Sequence, residues 1–186
     1  MKTGLSVVPS NFQKTEKRNV GTYDGIHIAG SYEVTLVSGS EGTLKTKKGF
    51  WWSWENRSWL KNGILIFKHK YKSLFGNWNS GTIYITIPVE DINKVVLSWS
   101  GEIEVDFQLE GDYFKTIHSG SGEINLNLDV KTSNGIVTGS GEITLTGKAS
   151  KVNFNVTGYG DLEADGIKAE AAEARVTGSR NIIAQN

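Results

Sequence analysis

The sequence contains no cysteine among its 186 residues. This absence excludes disulfides, thiolate metal sites and cysteine nucleophiles. The chain also lacks any apolar run of the ~18 residues that a transmembrane helix needs. Proline is scarce, with two residues, whereas glycine reaches 22. Many glycines with few prolines favour tight corners in a regular β architecture over a disordered linker.

A net charge is missing as well. The chain has 20 Lys and Arg residues against 20 Asp and Glu residues, and its pI is near 6.8. No bulk positive charge is therefore present to hold nucleic acid or an anionic membrane. At this length the simplest organisation is one domain that is large enough to bury a substantial core.

One short phrase recurs through the second half of the chain. Its five copies begin at Ser98, Ser119, Thr138, Thr157 and Thr177, and the second copy reads Ser-Gly-Ser-Gly-Glu-Ile. The acidic position falls at 102, 123, 142 and 161, and as asparagine at 181, so the copies lie 19 to 21 residues apart. A constant period near 20 residues is typical of a solenoid.

Apolar and polar residues alternate on both sides of each phrase. Residues 103–109 show the pattern after a phrase, and residues 152–156 show it before one. This period of two indicates half-buried strands and not helices. We therefore predict an all-β, parallel β-helix-like solenoid with coils of about 20 residues.

Stacked coils place equivalent residues in columns at the strand spacing of about 4.8 Å. The repeat predicts one buried apolar column, formed by Ile103, Ile124, Ile143, Leu162 and Ile182. The glycine that precedes each acidic position supplies positive φ or room for the neighbouring backbone.

The acidic positions predict a second column, formed by Glu102, Glu123, Glu142 and Asp161. One interpretation is a calcium-binding edge or a pair of catalytic carboxylates. The other is a solvated edge that discourages sideways sheet pairing. We favour the second, because a calcium site needs further oxygen ligands and the phrase supplies mainly serine and glycine. A serine recurs at 100, 121, 140 and 179, in four of the five copies, which indicates a geometric role, so we predict no catalytic residue and no metal site.

The first half of the chain departs from the repeat. Residues 1–19 are polar and basic and predict an irregular lead-in or tether, and residues 20–186 predict a single solenoid domain with an aromatic-rich elaboration at 49–80. Within the elaboration, Asn62-Gly63 predicts a hairpin turn. Pro88 is expected to end the strand that starts at Ile83, because proline cannot donate to a ladder.

The elaboration also holds the candidate binding site. Flat aromatic faces can stack on sugars while polar neighbours supply hydrogen bonds. The candidate ligand-binding residues are Trp51, Trp52, Trp54, Glu55, Arg57, Trp59 and Trp78. The alternative is that these rings cover an open end of the solenoid core.

The histidines, His27, His69 and His118, show no metal-binding spacing. His118 falls in a column whose side chains are predicted to face the core. Its coil is 21 residues long, so we expect the extra residue to shift the register and let Ile117 fill the core instead.

With these residues in view, the chain resembles the putative auto-transporter adhesin head GIN domain family of bacterial cell-envelope proteins. The recurring phrase carries the resemblance, together with residues 23–28 and 33–36, which look like the family's N-terminal strand pair. The match covers roughly residues 20–186. It implies a right-handed β-helix-like domain that is exported and often lipid-anchored.

The resemblance and the tryptophan cluster predict a non-catalytic envelope module that binds a glycan or a cell-surface protein. One alternative is a structural or assembly subunit whose ends pair with other chains. The other is a carbohydrate-active enzyme, which would need two carboxylates and a basic residue in one cleft. We expect no cofactor and no nucleic-acid partner, and an oligomer is compatible with the fold. Residues 1–10 lack the apolar core of a signal peptide, so we expect the natural signal segment to have been removed.

Overall fold

The computed structural model describes residues 14–48, 57–68, 83–179 and 182–184, and within them it contains fourteen strands and no helix. The strands are β1 (Lys14–Gly21), β2 (Gly25–Ala29), β3 (Tyr32–Ser38), β4 (Gly42–Lys48), β5 (Arg57–Lys61), β6 (Ile64–Lys68), β7 (Ile83–Val89), β8 (Lys94–Trp99), β9 (Glu102–Val105), β10 (Leu109–Gly120), β11 (Glu123–Gly139), β12 (Glu142–Gly158), β13 (Asp161–Gly178) and β14 (Ile182–Ala184). No helix in this described part is long and apolar enough to span a membrane.

The strands stack as the coils of a β-solenoid, which confirms the predicted fold. Ile103 pairs with Ile124, Ile124 with Ile143, and Ile143 with Leu162, all in parallel register. These four side chains are fully buried. The pairing of Leu162 with Ile182 completes the predicted column. The alternation of apolar and polar residues therefore keeps each coil in register with the coil before it.

The first coils stack in a different order from their order in the chain. The strand β3 lies between β7 and β9, and β2 lies between β6 and β8. The coil formed by β6 and β7 is therefore outermost at this end, although β2 and β3 precede it in sequence. The later coils follow in chain order from β8 to β14.

Antiparallel strands extend this end of the solenoid. The strand β1 pairs with β4, and β4 pairs with the middle of β7. Because β1 starts at Lys14, the end of the segment predicted as irregular is in fact a strand. The predicted hairpin is confirmed: β5 and β6 are joined by Asn62 and Gly63, whose φ angles are 50° and 73°.

The expectation that Pro88 ends its strand is wrong, since β7 continues to Val89. Pro88 pairs with Val37 of β3 on one side. The antiparallel partner on the other side reaches only Thr86. Beyond Thr86, β7 has no second partner among the described residues, and proline is tolerated at such an edge because no donor is needed there.

The expectation for Ile117 and His118 is also wrong. His118 is fully buried in register with Leu97 and Val137, and Ile117 lies on the outer face. The additional residues of this coil lie at 106–108, between β9 and β10, because Ile103 pairs with Ile124 whereas Leu109 pairs with Leu128. A bend absorbs them before the register reaches His118.

Candidate functional site

Successive copies of the phrase build a groove along one edge of the solenoid. Each coil contributes a serine, a backbone corner and a glutamate, and the groove has a volume of about 470 Å³. Its lining residues are Ser31, Tyr32, Glu33, Ser100, Gly101, Glu102, Ser121, Gly122, Glu123, Ser140, Gly141 and Glu142. The groove therefore presents the same polar groups at a repeated spacing of about 4.8 Å.

The predicted acidic column forms one side of this groove and is longer than the sequence suggested. Glu102 pairs in register with Glu123, and the column continues through Glu142 to Asp161. Glu33 pairs with Glu102 at the other end. Reasoning from the sequence missed Glu33 because its coil lacks the full phrase.

Burial and crowding raise the pKa of two of these carboxylates, Glu102 and Glu142. Burial raises the pKa of Glu102, and the charges of Glu123, Glu104 and Glu33 raise it further. Burial likewise raises the pKa of Glu142, with added repulsion from Glu163 and Glu123 that a hydrogen bond from Thr144 opposes. The groove is thus a region of concentrated negative potential in which Glu123 adjoins both perturbed groups.

The glycines beside the acidic column provide room and not positive φ. A Cβ on Gly101 would lie 2.7 Å from the carbonyl oxygen of Tyr32, and one on Gly160 would meet Gly141 in the same way. The positive φ angles occur two positions earlier in the phrase, at Gly120, Gly139, Gly158 and Gly178. Of the two predicted roles, close backbone approach is therefore the one that applies here.

Buried His118 supports the floor of the groove from inside. Its Nε2 lies 2.8 Å from the carbonyl oxygen of Gly122, and its Nδ1 lies 3.2 Å from that of Leu97. A Cβ on Gly141 would overlap Nε2 of His118. A neutral ring has one N–H, so the histidine donates to one of these two carbonyl oxygens and packs against the other.

Trp99 is the exception in the column of glycines with positive φ, which contains Gly120, Gly139, Gly158 and Gly178. It pairs with Gly120, and its own φ is 91°, a backbone conformation that non-glycine residues rarely adopt. Its side chain is 57% exposed. A bulky ring held in a strained conformation beside the groove is typical of a functional position.

Tyrosines stand at both ends of the groove. Tyr159 occupies the serine position of its coil, one step beyond Ser140, and is 66% exposed. Tyr84 pairs with Glu33 at the opposite end and is also exposed. Neither these tyrosines nor Trp99 lines the groove, but Tyr84 is paired with the lining residue Glu33, Trp99 precedes Ser100, and Tyr159 continues the column of Ser140. Trp99 and Tyr159 could have been noticed in the sequence, because Trp99 stands where the other copies of the phrase have glycine and Tyr159 where they have serine.

The members of the predicted tryptophan cluster that the structure describes do not line the groove. Trp51, Trp52, Trp54, Glu55 and Trp78 lie outside the described residues. Arg57 and Trp59 lie on β5, where Trp59 is 37% exposed and does not line the groove. The cluster remains a prediction.

The groove offers hydroxyl groups, carboxylates and neighbouring aromatic rings. Ser31 and Ser100 lie 3.0 Å apart between their Oγ atoms, and Thr35 donates to Glu104 at 3.0 Å. Among the described residues, no cluster of three or more His, Asp or Glu side chains is arranged to hold a metal ion. The described lining also contains no lysine or arginine. The chemistry available is hydrogen bonding, stacking and attraction of positive charge.

The fold and the groove define the molecule as a repeat-built β-solenoid with a polar surface groove. The profile of the family described as "Putative auto-transporter adhesin, head GIN domain" matches residues 22–185, and the chain belongs to this family. No curated protein matches the sequence.

Several solved structures share the fold. A putative adhesin from Bacteroides fragilis has a TM-score of 0.79 at 19% identity, with 94% of this chain and 80% of that chain covered. A putative adhesin from Parabacteroides distasonis has a TM-score of 0.68 at 18% identity, with 89% and 79% covered. A putative lipid binding protein from the same species has a TM-score of 0.61 at 18% identity, with 88% and 78% covered.

Proposed function

We propose that this chain is a non-catalytic adhesion module of the bacterial cell envelope that binds a glycan along the groove. Membership of an adhesin family supports adhesion, and the observation that carries the glycan assignment is Trp99. This residue holds an exposed ring at positive φ where the paired coil has glycine. Selection for folding alone favours glycine at such a position.

Repeat spacing supports an extended sugar chain as the ligand. The coils repeat at about 4.8 Å, which is close to the length of one pyranose unit in a polysaccharide. Each step presents a serine hydroxyl, which can donate a hydrogen bond to a sugar hydroxyl or accept one from it, and a carboxylate, which can accept one. Tyr84 and Tyr159 mark the two ends of the groove, and sugar rings can stack on them. The carboxylates further favour a glycan that carries amino groups.

A glycan array tests the proposal. We expect the wild-type chain to bind, and we expect Trp99→Gly and Tyr159→Ser to lose at least tenfold in affinity, which corresponds to about 1.4 kcal/mol. Both changes install the residue found elsewhere in the same column, so both variants should fold. Tyr113→Ala removes an exposed ring that pairs with Thr132, away from the residues that line the groove, and is the control. Equal binding by all four proteins would refute the groove assignment.

The tryptophan cluster is the competing location on the same array. Trp51→Ala and Trp52→Ala should leave binding unchanged if the groove is the site, with folding checked by circular dichroism. Loss of binding in these folded variants alone would move the site to residues 51–78. Cleavage of an arrayed polysaccharide, seen as new reducing ends, would instead favour the enzyme alternative.

A further inference from the structure

A stripe of outward side chains, apolar except for one histidine, runs along the strands that precede the phrase. It starts on β5, and each member pairs in register with the next. The members are Trp59, Ile66, His27, Val96, Ile117 and Ile136. At the strand spacing of about 4.8 Å, the stripe is about 24 Å long. Trp59 is 37% exposed, and the other members are half-buried.

The fold does not require apolar residues in this column. In the next two coils the column continues as Asn155 and Arg175, which are both exposed. The core of the coils that carry the stripe is formed by inward neighbours such as Leu97 and Val137, which are fully buried. Folding alone therefore does not explain outward aliphatic side chains here, and such surfaces mark interaction sites.

Lysines border the stripe on both sides. Lys61, Lys94 and Lys115 belong to the column on one side, and Lys68 belongs to the column on the other. None of these four forms an ion pair with another described residue. The pKa of His27 is lowered by burial and further by the charges of Lys94 and Lys68. The stripe thus lies in a region of positive potential.

No carboxylate offsets this charge within the three columns. From β5 as far as residue 138, the stripe and its two flanking columns contain no acidic residue. The acidic residues closest to them in the chain are Asp24, Asp91 and Asp112, which lie at the corner that leads into these strands. Lysines beside an uncharged stripe therefore define one basic, apolar side of the solenoid, which we call the basic side.

The strands that follow the phrase form another side of the coil, and its charge is opposite. Its strand residues 32–38, 102–105, 123–127, 142–146 and 161–164 contain seven acidic residues and no basic one. Lysines return at the end of this side on β4, which pairs with β7. The chain as a whole is neutral, so attraction to an anionic surface depends on this segregation of charge and not on net charge.

We propose that the basic side docks on the surface of an anionic lipid bilayer. An exposed indole and branched aliphatic side chains can enter the boundary between head groups and acyl chains, and the lysines beside them can reach lipid phosphate groups. A bilayer is an extended charged plane, so it attracts the basic side and repels the acidic one over the length of the molecule, which a short acidic peptide does not. This proposal does not depend on what the groove binds.

Cosedimentation with vesicles tests the docking. We expect the chain to bind vesicles of equal parts phosphatidylcholine and phosphatidylglycerol at low salt, and to bind vesicles of phosphatidylcholine alone about tenfold more weakly or less. High salt should release the chain from the anionic vesicles, because the lysines are screened. Equal binding to both kinds of vesicle, or binding to neither, overturns the proposal.

Charge reversal on the basic side tests the lysines. Lys94→Glu with Lys115→Glu should weaken binding to the anionic vesicles at least about 25-fold, because each lysine near such a surface contributes about fivefold and the glutamates add repulsion. The matched control is Lys148→Glu with Lys168→Glu, which changes the net charge equally at two exposed lysines that pair with each other outside the three columns. Equal losses in the two double variants would contradict docking by the basic side.

The apolar part of the contact is tested separately. Ile117→Thr with Ile136→Thr keeps β-branched side chains on the outer surface, so the variant should fold, which circular dichroism checks. We expect vesicle binding to weaken about fivefold, because apolar surface is lost while every charge is kept. Unchanged binding by this folded variant would reduce the contact to charge alone and overturn the role of the stripe.

A fluorescent label tests which side contacts the lipid, because the chain has no cysteine of its own. An environment-sensitive dye on Val96→Cys should shift to shorter wavelength on anionic vesicles. The same dye on Thr144→Cys, which lies on the acidic side in register with Glu163, should not shift. Equal shifts at the two positions would contradict the orientation. Binding of polyglutamate without binding of vesicles would overturn the proposal in favour of an acidic protein partner.

Discussion

At the scale of single residues, the solenoid depends on glycines at positions where a side chain would not fit. Gly141 is adjacent to two groups of neighbouring coils, the ring of His118 and the carbonyl oxygen of Gly122. His118 is polar and fully buried, yet both ring nitrogens lie within hydrogen-bond distance of carbonyl oxygens. Carbonyl oxygens only accept, so a neutral ring, with one N–H, donates to one of the two. A buried polar ring with such a bond is tolerated in an apolar column, whereas one without a partner is costly.

Gly141→Ala should destabilise the fold strongly, because its Cβ would overlap the buried His118 ring and force the coil corner to move. We expect a loss of about 2–3 kcal/mol, typical of overpacking a core. Urea denaturation measures the change. Gly111→Ala is the matched control, because nothing lies within 4 Å of the added atom. Similar midpoints for the two variants would show that the corner is more plastic than the structure indicates.

Trp99→Gly should stabilise the chain while it weakens ligand binding. Glycine adopts a φ of 91° without the steric cost that a tryptophan incurs, so we expect a gain of about 1 kcal/mol and a higher Tm. Differential scanning fluorimetry measures the shift, with Tyr159→Ser as the control since Tyr159 has no positive φ. A drop in Tm would mean that the indole contributes more packing than strain.

Glu123→Gln should lower the pKa of both Glu102 and Glu142, because Glu123 repels the charged form of each. A raised folded-state pKa means that the native chain binds more protons than the unfolded chain between 4.5 and the raised value. Stability contributed by these groups therefore rises as pH falls through that window, and the variant should show a smaller rise. NMR titration of the glutamate side chains measures the pKa values. Unchanged values in the variant would exclude coupling along the column.

At the scale of elements, the hairpin of β5 and β6 is anchored through its turn. The carbonyl oxygen of Gly63 accepts hydrogen bonds from the backbone amides of Asp24 and Gly25, at 2.7 and 3.2 Å. This turn therefore links the outermost coil to the coil that precedes it in sequence.

Gly63→Ala should loosen the hairpin. Gly63 has a φ of 73°, and an added Cβ would overlap the carboxylate of Asp24. We expect a local cost of about 1 kcal/mol. Hydrogen exchange should accelerate in β5 and β6 and stay unchanged in β11 and β12. Uniform acceleration across all four strands would show that the hairpin unfolds only with the whole solenoid.

The elements also show how far the sequence alone could lead. The phrase predicted the stacking from β8 to β14, because a repeat with constant spacing fixes its own register. It could not place β6 and β7 beneath β2 and β3, since those coils lack the phrase and their order depends on long-range pairing. The position of His118 was missed because its coil length was read as a register shift, whereas the bend at 106–108 absorbs the difference. The acidic column was predicted, but Trp99 and Tyr159, on which the proposed binding site rests, were not singled out.

At the scale of the whole molecule, each described coil contacts mainly its neighbours, so stability is close to a sum of coil and interface contributions. The buried columns are continuous through the middle coils and reach the surface at β13. We expect amide protection to be highest in β11 and β12 and lowest in residues 171–178 of β13. Hydrogen exchange with mass spectrometry measures this gradient. An equally protected β13 in a dilute monomer would show that the exposed edge is covered by the chain itself.

The stacking order of the first coils has a consequence for biosynthesis. The coil of β2 and β3 leaves the ribosome first, yet its neighbours on both sides are made later. Growth by adding each new coil to one advancing end cannot produce this arrangement. The chain must instead extend in two directions from its earliest coil. The edge of that coil toward β6 and β7 stays open until residue 89 has been synthesised, and the edge toward β8 and β9 stays open until residue 105.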